Sequence, residues 1–272
     1  MKRLALVFAA LLFSGQVHAQ DGKRLPDGVV STGSNDVAEA WLTRPTTRYA
    51  HAILGDAVEA GGVMVKMADG KLYEHVLPEG FVFEDRKARP VDLDGDGPDE
   101  IVVVLSSVSE GAALAVYGVA DGKLKLRAKT AHIGRTNRWL NPAEFADLDG
   151  DGTIEITAVW TPHLGRVLQA WRFSDGKLHQ VAKINGYSNH AIGSPVQDLT
   201  EIVKLSDGRP ALAIPTPGYD EIAFITLQQG KFAEVARIQA GGRITSPVRR
   251  SKNGRQLEFA TGRASRVTID IP

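Results

Sequence analysis

The 272-residue chain contains no cysteine, which excludes disulfides, thiolate metal sites, cysteine nucleophiles and an acylated N-terminal cysteine. It has no excess of charge of either sign: 32 basic side chains stand against 32 acidic ones, leaving no electrostatic footprint for nucleic acid and no polybasic membrane anchor. Long apolar runs are missing too. The longest, Leu4 to Phe13, falls well short of the roughly 20 residues a spanning helix needs, so stable membrane insertion is not expected. Also absent are G-x-S-x-G, H-E-x-x-H, the P-loop and G-x-G-x-x-G, the short motifs that announce common hydrolytic and nucleotide chemistry.

What is present begins with a leader. Lys2 and Arg3 precede the apolar run, and Val17-His18-Ala19 gives a small-residue cleavage pattern before Gln20. This order predicts a signal peptide over residues 1–19 and export to a periplasm or beyond the cell, with residues 20–272 as one domain. An exported chain without disulfides must draw its stability from core size or bound ions.

A repeat sets the architecture. The string DGKL starts at Asp69, Asp121 and Asp175, and a weaker copy, QGKF, starts at Gln229, so the interval is 52 to 54 residues. Fixed self-similarity at such a period marks an array or a propeller. Each Asp-Gly pair lies between two apolar-rich runs, such as Ala113 to Val119 before and Lys123 to Ala128 after, which reads as a hairpin. Working backward from Asp175 gives two earlier strands, Ile154 to Thr161 and Ala143 to Leu148, and hence four per unit.

The fold expected is therefore an all-β, five-bladed β-propeller of four antiparallel strands per blade, over residues 36–78, 89–130, 141–184, 190–238 and 243–272. In the first unit the strands expected are Val37 to Leu42, Arg48 to Leu54 and Gly62 to Met67. The fifth unit ends at Pro272 without a last strand, and Gly28 to Thr32 is the candidate to complete it and close the ring. An open solenoid or a pair of β-sandwiches would share the repeat.

DLDGDG occurs twice, at Asp92 to Gly97 and Asp147 to Gly152. Counting from each first Asp, acids stand at positions 1, 3, 5 and 9: Asp92, Asp94, Asp96 and Glu100 in one loop, Asp147, Asp149, Asp151 and Glu155 in the other. Gly97 and Gly152 fall at position 6, where a calcium loop turns sharply. An all-oxygen set selects against zinc and copper, and several carboxylates from one flexible loop suit calcium better than magnesium. Position 12 is Val103 or Ala158 inside an expected strand, which excludes an EF-hand. Ligands from one short loop aim at a single point, unlike glycosidase acids that face each other across a substrate.

The segments VDLDGDGPDEIVVV and ADLDGDGTIEITAV resemble the calcium loops of FG-GAP/VCBS-type repeats, the propeller repeats found also in integrin α chains. The resemblance implies two structural calcium ions. Their ligands would be Asp92, Asp94, Asp96, the Pro98 carbonyl and Glu100 in one loop, and Asp147, Asp149, Asp151, the Thr153 carbonyl and Glu155 in the other. The fourth unit has only Asp198 and Glu201 near the corresponding place, and the fifth has Arg249, Arg250 and Lys252.

In an up-and-down meander the acidic loops and the DGKL turns share one face, and the remaining loops share the other. That second face gathers Arg138, Trp139, Asn141, Tyr187, His190, Tyr219 and Arg243, a set of rings, amides and charges suited to a protein or glycan ligand. A non-catalytic binding module stabilised by calcium is the function expected. The alternative is a carbohydrate-active enzyme using Glu59 and Glu110, the two acids that fall in neighbouring loops of this face.

Overall fold

The computed structural model describes residues 22–272, so the expected signal peptide lies outside the described residues. Among the described residues all regular structure is β, and no helix is long and apolar enough to cross a membrane. The first stretch carries β1 (Val37–Thr46), β2 (Glu59–Met67), β3 (Leu72–Val76) and β4 (Phe81–Phe83). It continues with β5 (Arg89–Val91), β6 (Glu100–Ser107), β7 (Gly111–Ala120) and β8 (Lys123–Lys129). Short β4 joins these into one eight-stranded sheet, because Phe83 lies opposite both Ala60 of β2 and Leu105 of β6.

Three separate antiparallel sheets follow. One holds β9 (Leu140–Ala146), β10 (Glu155–Trp160), β11 (Val167–Ser174) and β12 (Lys177–Asn185). The next holds β13 (Glu201–Lys204), β14 (Pro210–Pro215), β15 (Glu221–Gln228) and β16 (Lys231–Gln239). The last holds β17 (Arg249–Arg250), β18 (Gln256–Thr261) and β19 (Ala264–Asp270).

The repeated turns form as their residues dictate. Asp121 and Gly122 both have positive φ (51° and 67°), as do Asp175 and Gly176 (52° and 67°) and Gln229 and Gly230 (49° and 70°). Two successive left-handed residues make the two-residue hairpin whose twist matches that of the flanking strands. Several middle strands are apolar on both faces: β6 is buried along its whole length, and most of β7 and β15 likewise. The outer strands β8, β12 and β16 alternate exposed Lys, Arg and Glu with partly buried positions, which blunts a free edge.

Two strand expectations are corrected. Arg48 to Leu54 is not a strand; it lies within the connection between β1 and β2. Its apolar residues are spent on distant partners, with the Tyr49 hydroxyl accepting the Asn137 N–H at 2.8 Å and the Ile53 carbonyl accepting the Gly193 N–H at 2.9 Å. Gly28 to Thr32 does not complete the last sheet. Ser31 bridges Ala40 of β1 and Val29 bridges Lys87, so this segment runs beside the first sheet and β17–β19 stays three-stranded. The reason is register: Ser31 and Ala40 exchange both backbone hydrogen bonds, at 2.9 and 2.8 Å, making β1 the second strand of its unit.

Sheets far apart in sequence meet at the segments that lead into their first strands. Asp85, ahead of β5, takes an amide hydrogen from Gln197, ahead of β13, at 3.0 Å, and Gln197 also reaches Asn141 of β9 at 3.2 Å. Lys87 and Arg249 both pair with Asp198. Polar side chains ahead of β5 and β13 and within β9 thus join three of the sheets to one another.

Candidate functional site

Each acidic loop closes on itself before any ion is considered. The Asp92 carboxylate accepts the N–H groups of Gly95 (2.8 Å) and Gly97 (3.1 Å), and that of Asp147 accepts those of Gly150 (2.7 Å), Asp151 (3.1 Å) and Gly152 (2.8 Å). Gly97 and Gly152 have φ of 101° and 90°, a conformation a side chain would strain. The ninth residue enters from the following strand: Glu100 accepts the Leu93 N–H at 3.1 Å, and Glu155 accepts that of Leu148 at 2.8 Å.

The carboxylates that converge differ between the two loops. Asp92, Asp94 and Asp96 place oxygens within 4.8 Å of one another in the first, while Asp147, Asp149 and Glu155 do so in the second. Glu100 stands apart from the first trio and Asp151 from the second. Both groups offer only oxygen, a donor set that fits calcium.

The sharper difference is the residue across the ladder. Glu155 lies opposite Arg172 of β11, whose guanidinium contacts Asp149 at 2.9 Å, Asp151 at 2.9 Å and Glu155 at 2.5 Å. The corresponding position in β7 is Gly118, since Ile101 pairs with Tyr117. Arg127 of β8 lies over that glycine, and among the described residues no ion pair joins it to the first loop. Accordingly burial and the neighbouring Asp94 and Asp96 push the Glu100 carboxyl up to about 7, and burial together with Asp94 raises that of Asp96. In the second loop the amide of Thr153 and the Arg172 charge hold Asp151 below the usual range.

Asp99, the eighth residue of the first loop, is a structural device that its spacing did not reveal. Its buried carboxylate accepts the N–H groups of Asn35 (3.0 Å) and Val37 (3.2 Å), and its own N–H donates to Asp36 at 2.7 Å.

The opposite face is built from the other loops. The β1–β2 connection, the segment before β9, the β10–β11 loop and the segment before β13 surround a cavity of about 220 Å³. Arg138, half-buried, lines it; Trp139 lines it with 2% of its surface exposed, its indole N–H donating to the Glu84 carbonyl at 2.8 Å. His190 is fully buried behind Trp139. Its Nε2–H donates to the Ser194 carbonyl at 2.7 Å, which leaves Nδ1 to accept from His163 Nε2 at 3.1 Å. Burial drives the His190 imidazole down to about 4 and lowers that of His163, so both are neutral rings near pH 7.

Three other expected ligand residues are fasteners. Asn141 donates to the carbonyls of Asn189 (3.2 Å) and Gln197 (2.9 Å), the Tyr187 hydroxyl donates to Glu234 (2.6 Å), and the Tyr219 hydroxyl donates to the His190 carbonyl (2.5 Å). Arg243 is exposed, with its guanidinium 4.4 Å from the Tyr219 ring centre. The acids of the enzyme alternative have unlike surroundings. Glu59 is buried, and desolvation with the nearby Glu84 charge pushes it up to about 9, whereas Glu110 is exposed. His51 and Glu84, which the sequence reading missed, sit at this cavity: His51 Nδ1 lies 2.5 Å from the fully buried Glu84 carboxylate, which also accepts the Ser106 hydroxyl.

Residues 92–158, the stretch with both acidic loops, match the family of the FG-GAP-like repeat. No curated protein matches the chain. Among solved structures, a Lactobacillus plantarum protein is 13% identical with a TM-score of 0.48, over 89% of this chain and 69% of the other. Saccharomyces cerevisiae Sqt1 is 16% identical with a TM-score of 0.49, over 77% of this chain and about half (54%) of its own length.

Proposed function

We propose that the chain is an exported, calcium-stabilised β-propeller of five blades that serves as a binding module without chemistry of its own. In this reading the bridge segment Gly28–Thr32 is the innermost strand of the first blade, and the fifth blade keeps three strands. The observation that carries the calcium assignment is the trio Asp92, Asp94 and Asp96, three convergent carboxylates that no ion pair joins to a cation among the described residues, inside an FG-GAP-like repeat. The second loop would hold calcium more weakly, because the ion must displace Arg172 from Asp149 and Glu155. Bound calcium at ten times its dissociation constant would stabilise the fold by about 1.4 kcal/mol per site.

The face opposite the acidic loops is the binding surface in this proposal, with a protein or glycan as partner. Its loops are held by buried hydrogen bonds, and the cavity and the exposed Arg243 are the features it offers to a ligand. The test of the calcium reading is thermal melting of chelator-stripped protein with and without calcium. A rise of several degrees that Asp94→Ala cuts back supports it; no shift in the unaltered protein overturns it.

A further inference from the structure

The cavity beside His51 carries chemistry that neither the repeat nor the acidic loops account for. His51 is held from behind: with Nδ1 on Glu84, its Nε2 has no partner among the described residues and is not a buried orphan, so that edge of the ring opens on the cavity. Glu84 is fully buried and fixed by His51 and the Ser106 hydroxyl, so the His51 ring is held in one orientation by its Nδ1 contact. Arg138 supplies a second cation. Its Nη1 donates to the Asn137 carbonyl at 2.8 Å, and among the described residues no carboxylate pairs with it. Of the acids near Glu84, Asp85 is paired with Arg89 at 2.7 Å, and Glu59, pushed up to about 9, holds its proton near neutrality.

The rest of the lining is mixed: Asn137, Thr161 and His163 are polar, and Ile53, Trp139, Leu164 and Ile192 supply the apolar surface. Ile53 lies at the base, and Leu164 and Ile192 stand at the mouth with 63% and 73% of their surface exposed. The backbone around the cavity is held in unusual conformations: Thr161 lines it at φ 44° and Asn137 at φ 53°, and Ala52, next to His51, has φ 53°. A β-branched residue in the left-handed region costs energy, and such residues gather where a site is pre-shaped.

We propose that this cavity binds a small organic carboxylate, its anionic end between His51 Nε2–H and Arg138 and its hydrocarbon body against Ile53, Leu164 and Ile192. The assignment deepens the reading of this face as the binding surface by giving the chemical class of its ligand. The charges favour an anion: Arg138 has no carboxylate partner among the described residues, and it shares the lining with His51 and with the aliphatic side chains of Ile53, Leu164 and Ile192. A single carboxylate satisfies both donors at once.

The experiment is titration of the mature protein with hexanoate, and with hexan-1-ol as its uncharged counterpart, followed by calorimetry and by the fluorescence of Trp139. Saturable hexanoate binding is expected, with the alcohol about tenfold or more weaker. Arg138→Met should weaken hexanoate by about tenfold and leave the alcohol unchanged, while Ile192→Asp should weaken both. Because His51→Phe strips the buried Glu84 of its partner, ring-nitrogen chemical shifts of His51 in the unaltered protein give a second readout, which hexanoate should move and hexan-1-ol should not. Absence of saturable hexanoate binding, equal affinity for acid and alcohol, or insensitivity to Arg138→Met would each overturn the assignment. The calcium-dependent melting shift, recorded on the same samples, separates the two proposals: its persistence without hexanoate binding sinks only the carboxylate site.

Discussion

The two DLDGDG loops share six letters and nearly the same backbone, yet they are different electrostatic objects. In the second, Arg172 crosses from the neighbouring strand and neutralises Asp149, Asp151 and Glu155. In the first, the same ladder position is Gly118, and Arg127, which makes no ion pair there among the described residues, offsets only part of the repulsion among the carboxylates. What a loop can hold is therefore decided partly by a residue outside the motif. A calcium ion at the first loop would relieve a repulsion, while one at the second would have to replace a guanidinium that already does so.

The comparison can be broken from either side. Gly118→Arg would carry the arginine into the first loop and should lower its calcium affinity roughly ten- to a hundredfold, the scale of one added like charge near a partly screened ion. A Cβ at Gly118, which is buried in β7, would have the Arg127 side chain at 3.2 Å as its nearest neighbour, so calcium-free melting of the variant separates any packing cost from the loss of affinity. Arg172→Gln is the reverse change. It should tighten the second loop by about tenfold and destabilise the calcium-free protein by about 1–3 kcal/mol, because the buried Glu155 loses its partner. Calorimetry reads the first effect and urea denaturation the second.

Glu59 sharpens the contrast between carboxylates that a cation can neutralise and one that only a proton can. Folded, it titrates at about 9; unfolded, it returns to its ordinary value of 4.5. Across that window the folded state holds a proton that the unfolded chain has released, so this group's contribution to stability is full below about 4.5 and declines as pH rises towards 9. Glu59→Gln should flatten the fall in melting temperature between neutral pH and pH 9, with calcium present or absent. An unchanged slope would place the loss of stability elsewhere.

How much of this was legible depended on how local each cause was. The hairpins were readable because Asp-Gly and Gln-Gly place both left-handed residues side by side in the sequence. The four-stranded units at β9–β12 and β13–β16 followed from those turns and the apolar runs around them. The first unit was not readable in the same way. Tyr49 and Ile53 look like strand residues, but their partners Asn137 and Gly193 are remote and hold the segment as a loop over the cavity.

The candidate sites divide along the same line. The acidic trio lies within five consecutive residues, so spacing sufficed to find it. Arg172 was hidden because only the β10–β11 register sets it opposite Glu155. His51, Glu84 and Ser106 come from three separate segments, and no short pattern joins them. Trp139, Asn141, Tyr187, His190 and Tyr219 were singled out for their side chains, but the structure buries them and uses their polar atoms to bind one loop to the next.

The most direct test is a calorimetric calcium titration of the chelator-stripped mature protein beside Arg172→Gln. The account predicts one tighter and one weaker site in the unaltered protein, with the substitution strengthening only the weaker. Two equal sites indifferent to Arg172, or no binding at either loop, would contradict it.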